Sequence, residues 1–142
     1  MFYVIITIIA RGKSPFTYIF KDFWGKDMIQ GINALAGDKL TILYFMKCLN
    51  IPMTNGQITR FFTENNLINY FDLQQYIIEL ISGELINKME TGHSQFLTLT
   101  SKGKEALLFF QKKIPSVLRN RIESYAENNR TLLKYESQIT AD

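Results

Sequence analysis

Two adjacent glutamines, Gln74 and Gln75, are the side chains of this sequence best suited to reading another molecule. A glutamine amide can form two hydrogen bonds with the edge of an adenine base. With Glu79, they are expected on the exposed side of one helix. Further candidates for DNA contact lie before and after this helix: Asn69, Tyr70, Lys88, His93, Lys102 and Lys104.

Few residues of this chain are suited to catalysis, disulfide formation or metal binding. Cys48 is the only cysteine, so an internal disulfide and a multi-cysteine metal site are excluded. His93 is the only histidine and is expected to be a surface turn residue. Cys48 lies in an apolar stretch and is expected to be a buried, unreactive thiol. No phosphate-binding loop or pair of catalytic carboxylates is recognisable. We therefore expect no catalytic residues, no metal site, no cofactor and no enzyme activity.

The two glutamines belong to a predicted helix over Asp72–Ser82. Its apolar residues recur at the 3.6-residue helical period and would form one buried stripe: Leu73, Tyr76, Ile77, Leu80 and Ile81. Asp72 is predicted as the N-cap, with Gln75 reaching back to complete a capping box. Gly83 is predicted to end the helix in the left-handed conformation that glycine accepts easily.

A short β-hairpin is predicted directly after this helix. Residues 85–89 and 96–99 have strand-like composition, and Thr91, Gly92 and His93 between them are turn residues. Thr100 is placed to cap a further helix. These turn residues would form the tip of the hairpin. The hairpin would directly follow the predicted helix over Asp72–Ser82.

Two helices are predicted before that one. The first runs from Asp38 to about Leu49 and is apolar on almost all sides, so it should be the central, most buried helix. Pro52 separates it from a second helix, whose capping box is Thr54 with Gln57. Three helices followed by a hairpin is the winged-helix order, with helices two and three as a helix-turn-helix pair. The predicted class is mainly α with a small antiparallel hairpin, over a domain of residues 28–114.

The C-terminal part, residues 100–142, is predicted to be helical. A fourth helix from Thr100 places four residues on one face: Gly103, Leu107, Phe110 and Ile114. Pro115 then begins a fifth helix, since proline suits a first turn. Residues near heptad spacing along it form an apolar seam: Leu118, Ile122, Tyr125 and Leu132. The seam is predicted to join two copies in a homodimer, and packing on its own domain is the alternative.

Residues 1–27 lack the clear helix and strand patterns of the rest of the sequence. Residues 1–10 are strongly apolar but too short to span a bilayer, and their flanking charges do not fit a signal peptide. The well-patterned sequence begins just after Met28. We expect either an upstream extension from a misplaced start, with the cellular protein beginning near Met28, or a genuine appendage. A cytoplasmic protein without membrane attachment is expected.

Several pieces of the sequence resemble a bacterial family, the domain of unknown function numbered 4364. They are residues 39–44, 51–55, 69–76, Leu99 and Thr100 with Gly103, and Ile114 with Pro115. The resemblance covers roughly residues 30–142. It implies a fold similar to that of winged-helix transcription regulators and no established activity. It also implies that members begin near Met28 and continue past Asp142, so this chain is expected to be truncated.

The distribution of charged residues along the chain affects how well DNA binding fits the sequence. The net charge is +3, but residues 1–27 hold four basic and two acidic residues, so little excess remains elsewhere. Residues 72–81 contain two acids and no Lys or Arg, which disfavours phosphate contact unless neighbours such as Arg60 compensate. A DNA-binding regulator, reading DNA with Asp72–Ser82 and a wing around Thr91–His93, is the leading interpretation. The alternative is an interaction or dimerisation module without DNA binding, favoured by an exposed Ile78.

Overall fold

Five helices and one β-hairpin make up the chain as described by a computed structural model. It describes residues 37–141, and the side chains of residues 37–136. The elements are α1 (37–49), α2 (Asn55–Glu64), α3 (Tyr70–Ser82), β1 (Ile86–Thr91), β2 (Ser94–Leu99), α4 (Ser101–Phe110), a 3-10 turn (Gln111–Lys113) and α5 (Ser116–Ala141). The predicted mainly α class with a small antiparallel hairpin is confirmed. The predicted extension over residues 1–27 and the start near Met28 lie outside the described residues.

Helix α1 is the buried centre that its composition predicts. Its core residues point to almost every side and are nearly inaccessible: Leu40, Ile42, Leu43, Tyr44, Phe45, Met46 and Leu49. Phe45 stacks on Phe61 of α2, with 4.5 Å between the ring centroids, and meets Phe62 edge to face at 5.3 Å. This aromatic cluster fixes α2 against α1 and adds to the stabilisation from apolar burial.

The N-terminus of α2 has the predicted capping box. The Thr54 hydroxyl accepts a hydrogen bond from the Gln57 backbone N–H at 3.1 Å. The Gln57 side-chain oxygen in turn accepts from the Thr54 backbone N–H, also at 3.1 Å. Two of the backbone donors that a helix start leaves unpaired are therefore satisfied.

Helix α3 begins two residues earlier than predicted, because its N-cap is Asn69 and not Asp72. The Asn69 side-chain oxygen accepts from the Asp72 backbone N–H at 2.9 Å, and its amide donates to the Asp72 carboxylate at 2.6 Å. Asn and Asp are equally good N-caps, so composition alone does not choose between them. Asp72 lies in the first turn, where its charge favours the positive end of the helix dipole.

The end of α3 at Ser82 is confirmed, but the predicted role of Gly83 is wrong. Gly83 has a φ of −81°, and the left-handed residue is Glu84, with a φ of 63°. The Leu85 N–H then donates to the Leu80 carbonyl at 2.9 Å. Leu85 is fully buried. We infer that its position in the core requires the residue before it, Glu84, to adopt the left-handed conformation.

The hairpin is longer at its tip than predicted. Antiparallel pairing runs from Ile86 opposite Leu99 to Thr91 opposite Ser94, which leaves a two-residue turn. Gly92 in this turn has a φ of 63°, a value that glycine adopts without strain. Met53, before α2, pairs with Leu97 through backbone hydrogen bonds of 3.0 and 2.7 Å. β2 therefore lies between β1 and a one-residue third strand.

Helices α4 and α5 close the core. The Thr100 hydroxyl caps α4 by accepting from the Gly103 N–H at 3.0 Å. The four residues predicted on the inner face are all buried: Gly103, Leu107, Phe110 and Ile114. The predicted helix is too long, however, because α4 ends at Phe110 and Ile114 follows the 3-10 turn in an extended conformation. Pro115 immediately precedes α5, and its carbonyl accepts from the Arg119 N–H at 3.0 Å.

Substituting the capping residues tests these helix starts. Thr54→Ala and Asn69→Ala should each lower the free energy of unfolding by about 1 kcal/mol, because each removes an oxygen that pairs a backbone N–H. Asp72→Ala should cost less, since the Asn69 oxygen remains. Urea denaturation measures all three, with Ser124→Ala on the exposed side of α5 as the control. An Asp72→Ala loss larger than that of Asn69→Ala would contradict the observed cap.

Candidate nucleic-acid interface

Gln74 lies in the contact between α2 and α3 and is half-buried. Its amide nitrogen donates to the Thr59 hydroxyl at 2.9 Å, and its oxygen accepts from the Asn55 amide at 2.8 Å. Both ends of the side chain are thus engaged within the protein. The sequence placed Gln74 on the exposed side of the helix, and the structure instead gives it a role in holding α3 on α2.

Glu79 is also turned inward, contrary to the sequence interpretation. Its carboxylate lies 2.9 Å from the ammonium group of Lys39 on α1, and the two side chains are 14% and 0% exposed. The Lys39 ammonium is also 6.0 Å from the centre of the Tyr76 ring. Gln75 reaches the other Glu79 oxygen at 3.5 Å. This buried ion pair does not follow from helical periodicity, although a lysine at the start of an apolar helix is a visible signal for it.

A second polar contact between α1 and α3 lies beside this ion pair. Burial raises the pKa of the Asp38 carboxyl, a hydrogen bond with Tyr76 lowers it, and the charge of Asp72 raises it. Burial and the nearby carboxylates raise the pKa of Tyr76 to about 12. Tyr76 therefore keeps its hydroxyl proton at neutral pH and can donate it to Asp38. These polar contacts orient α3 against α1.

The outward face of α3 is largely apolar. Phe71 is 80% exposed and Ile78 is 57% exposed, with Gln75 between them along the helix. Tyr70 is exposed as well, and its ring meets that of Phe71 edge to face at 5.5 Å. The exposed Ile78 predicted from the sequence is confirmed. Four candidates for DNA contact lie at α3: Asn69, Tyr70, Gln74 and Gln75. Tyr70 and Gln75 face solvent, whereas the Asn69 side-chain amide already makes the two capping hydrogen bonds with Asp72.

The hairpin adds little positive charge to this face. Lys88 on β1 and His93 in the turn are both exposed. Glu90 is nearby on β1 and accepts a hydrogen bond from Gln95 at 3.2 Å. Residues 69–99 together contain four acidic residues and a single lysine. Phosphate groups would therefore meet a net negative surface here.

Lys102 and Lys104 follow the hairpin on α4. Lys102 is half-buried, whereas Lys104 is exposed. Lys104 lines a groove of about 230 Å³ together with Lys47 from α1, and none of its lining residues is acidic. The remaining lining residues are Met46, Asn50, Ile51, Pro52, Thr98 and Leu99.

The predicted dimer seam on α5 mostly faces its own domain. Ile122 is completely buried, and Leu118 and Tyr125 pack against the core. The Tyr125 ring centre is 4.6 Å from that of Phe61. Leu132, which is 58% exposed, is the one member of the seam left for a second copy. The homodimer stays a prediction, and Ile122→Asp would disrupt the core rather than report on a dimer.

The residues with potential for covalent or metal chemistry stand apart from each other. Cys48 is half-exposed, and burial raises the pKa of its thiol. Within the described part of the chain, no three His, Cys, Asp or Glu side chains come together in a way that could bind a metal ion. None of the helices in this part is both long and apolar enough to cross a membrane.

Comparison with protein-family models gives one match, which covers residues 38–142. It is to the family described as Domain of unknown function (DUF4364). The chain belongs to this family. The match spans every helix and strand from α1 to the end of α5, and it agrees with the resemblance carried by residues 39–44 and 69–76. No curated protein and no solved structure matches this DUF4364 chain.

Proposed function

We propose that this DUF4364 chain is a winged-helix domain that binds double-stranded DNA and acts as a transcription regulator. The observation that carries the proposal is the order of elements, in which α1, α2 and α3 are followed by a hairpin. The bridge between Met53 and Leu97 supports it, because a short strand between the first two helices would complete a three-stranded winged-helix sheet. On this proposal, α2 and α3 are the helix-turn-helix pair and the hairpin is the wing.

In the proposed complex, α3 enters the major groove and the wing lies beside it. Gln75 is the side chain best placed for base contact, since it is exposed and its hydrogen bond to Glu79 is long, at 3.5 Å. Tyr70 lies near the start of the helix, and Lys88 and His93 belong to the wing. Lys102 and Lys104 would contribute phosphate contacts, so a DNA partner accounts for most of the exposed candidates.

A titration against random-sequence duplex at two salt concentrations tests the function. Fluorescence anisotropy should show binding at low salt that weakens steeply as salt rises, because neutralising phosphates releases counterions. Absence of binding at low salt, where this term is most favourable, would contradict the DNA proposal.

The two glutamines should behave differently when replaced. Gln75→Ala should cost about 1–3 kcal/mol of binding on the preferred sequence if it makes a bidentate base contact, and little on random duplex. Gln74→Ala should instead lower the free energy of unfolding by roughly 1 kcal/mol for each hydrogen bond that it removes. Anisotropy and urea denaturation on both variants provide the comparison. Equal losses of sequence preference in both variants would show that the observed α2–α3 contact does not persist in the complex.

A protein-interaction module is the second candidate function. The exposed apolar pair Phe71 and Ile78 on α3 favours it, because a DNA groove offers such side chains little beyond thymine methyl groups. Exposed apolar patches more often meet another protein surface. On this proposal, Phe71→Ser and Ile78→Ser would abolish a protein contact and leave DNA affinity unchanged.

A further inference from the structure

Positive charge in the described residues is concentrated in the stretch that follows the hairpin. Residues 100–121 contain six Lys and Arg residues and one acid, Glu105, whereas residues 69–99 contain four acids and one lysine. Electrostatic contact with phosphates supplies nearly all non-specific DNA affinity. Helix α3 and the wing therefore lack the charge that binding requires, and α4 with the start of α5 has it.

Cations from α1 and α4 share one surface. The Lys47 ammonium donates to the Gln111 side-chain oxygen at 3.2 Å, at the end of α4. Lys47 and Lys104 also line the same groove. Lys104 and Gln111 are seven residues apart, which places them on one side of a helix. Lys47 thus extends the positive surface of α4 toward α1.

The turn between α4 and α5 adds further charge beside this surface. Lys112 and Lys113 are exposed, and the Lys113 ammonium lies 5.4 Å from the centre of the Phe110 ring. Arg121, one turn into α5, is exposed too. The acids nearby are Glu105, which is half-buried, and Glu123, which accepts a hydrogen bond from Tyr44 at 2.8 Å. Five exposed cations define what is here named the basic corner: Lys47, Lys104, Lys112, Lys113 and Arg121.

We propose that the basic corner, and not the wing, is the surface that contacts the phosphate backbone of duplex DNA, an inference that rests on the proposed function. Lys104 is the one residue shared with the earlier phosphate candidates. The corner lies on three helices joined by the Lys47–Gln111 hydrogen bond and the 3-10 turn, so the backbone positions of its cations are fixed relative to one another.

An anionic membrane is the main competing partner for such a surface. Three large apolar side chains are exposed in the same stretch of α4 and α5: Leu108 at 76%, Phe109 at 52% and Val117 at 72%. Membrane-surface helices, however, combine a continuous apolar face and a basic face on one amphipathic helix. Here the cations come from α1, α4, the turn and α5, and they outnumber the apolar side chains. Charge complementarity therefore favours a duplex backbone.

Three variants test the assignment. Lys112→Gln with Lys113→Gln removes two exposed lysines from the basic corner, Lys88→Gln removes one from the wing, and Lys134→Gln, on the exposed side of α5, is the control. The dependence of log Kobs on log salt is measured by anisotropy on random duplex. The slope should flatten by about 0.9 unit for every phosphate that is no longer neutralised, so the corner variant should flatten by roughly 1.8 units and the control should not change.

The slope of the Lys88 variant separates the wing from the basic corner, and it should equal that of the parent protein. A flattening of about 0.9 unit in the Lys88 variant, or an unchanged slope in the corner variant, overturns the assignment while DNA binding stands. A parent protein that binds no duplex at low salt overturns the proposed function and this inference with it. Binding to phosphatidylserine vesicles but not to duplex would identify a membrane as the partner and overturn both. Unchanged thermal midpoints confirm that all three variants are folded.

Discussion

Replacing Glu79 with alanine is expected to lower the free energy of unfolding by about 3–5 kcal/mol, because it removes a carboxylate that pairs with the buried ammonium group of Lys39. Lys39 is fully inaccessible, and the carboxylate that neutralises it lies 2.9 Å away. A small domain has only about 5–15 kcal/mol of stability in total, so the variant should lose a large fraction of it. Urea denaturation of the parent and the variant provides the measurement.

The matched control is the exposed ion pair between Arg60 and Glu136, which are 44% and 35% exposed at 3.3 Å. Glu136→Ala should cost less than about 1 kcal/mol, since solvent screens exposed charges. The double variant Lys39→Met with Glu79→Leu should recover most of the loss, because apolar groups can replace a buried pair. A Glu79→Ala loss as small as that of Glu136→Ala would mean that the Lys39 ammonium reaches water.

Gly103→Ala should be the second most damaging change, at about 3 kcal/mol, the upper end of the usual cost of overpacking. A Cβ atom at Gly103 would clash with the carbonyl oxygen of Leu85 and lie 2.7 Å from the Leu99 Cδ1 atom. The first neighbour is backbone and cannot rotate away. α4 would therefore have to move off the base of the hairpin.

Gly56→Ala is the matched control for this substitution. Gly56 also lies in the first turn of a helix, but the nearest atom to its Cβ position is the Thr54 hydroxyl oxygen at 3.9 Å. Alanine there should stabilise the protein by about 0.5–1 kcal/mol, the usual advantage over glycine in a helix. Thermal denaturation of both variants separates crowding from helix propensity. A Gly103→Ala variant as stable as the parent protein would contradict the close packing at Gly103.

The elements that were predicted correctly are determined by residues close to one another in the sequence. The capping box at Thr54 and the buried face from Gly103 to Ile114 are local patterns, and both are confirmed. The start of α3 was misplaced because Asn69 and Asp72 are equally suitable caps. The left-handed Glu84 was missed because burial of Leu85, a tertiary effect, determines the chain path there.

The candidate site was harder to predict, because its side chains take partners from distant parts of the chain. Helical periodicity shows which residues of α3 form the apolar stripe, but polar residues at its border can face either way. Gln74 and Glu79 face inward because Thr59, Asn55 and Lys39 provide partners for them. Lys39 is forty residues before Glu79, and no local pattern connects the two.

The position of α5 against α1 and α2 also has a consequence for the order of folding. The Arg130 side chain donates to the carbonyl oxygens of Leu49, at 2.9 Å, and Cys48, which end α1. Gln57 of α2 donates to the Leu133 carbonyl at 3.1 Å. These partners lie roughly eighty residues apart, and such long loops close slowly. During synthesis the carbonyl groups at the end of α1 must therefore be hydrated until the part of α5 that carries Arg130 has left the ribosome.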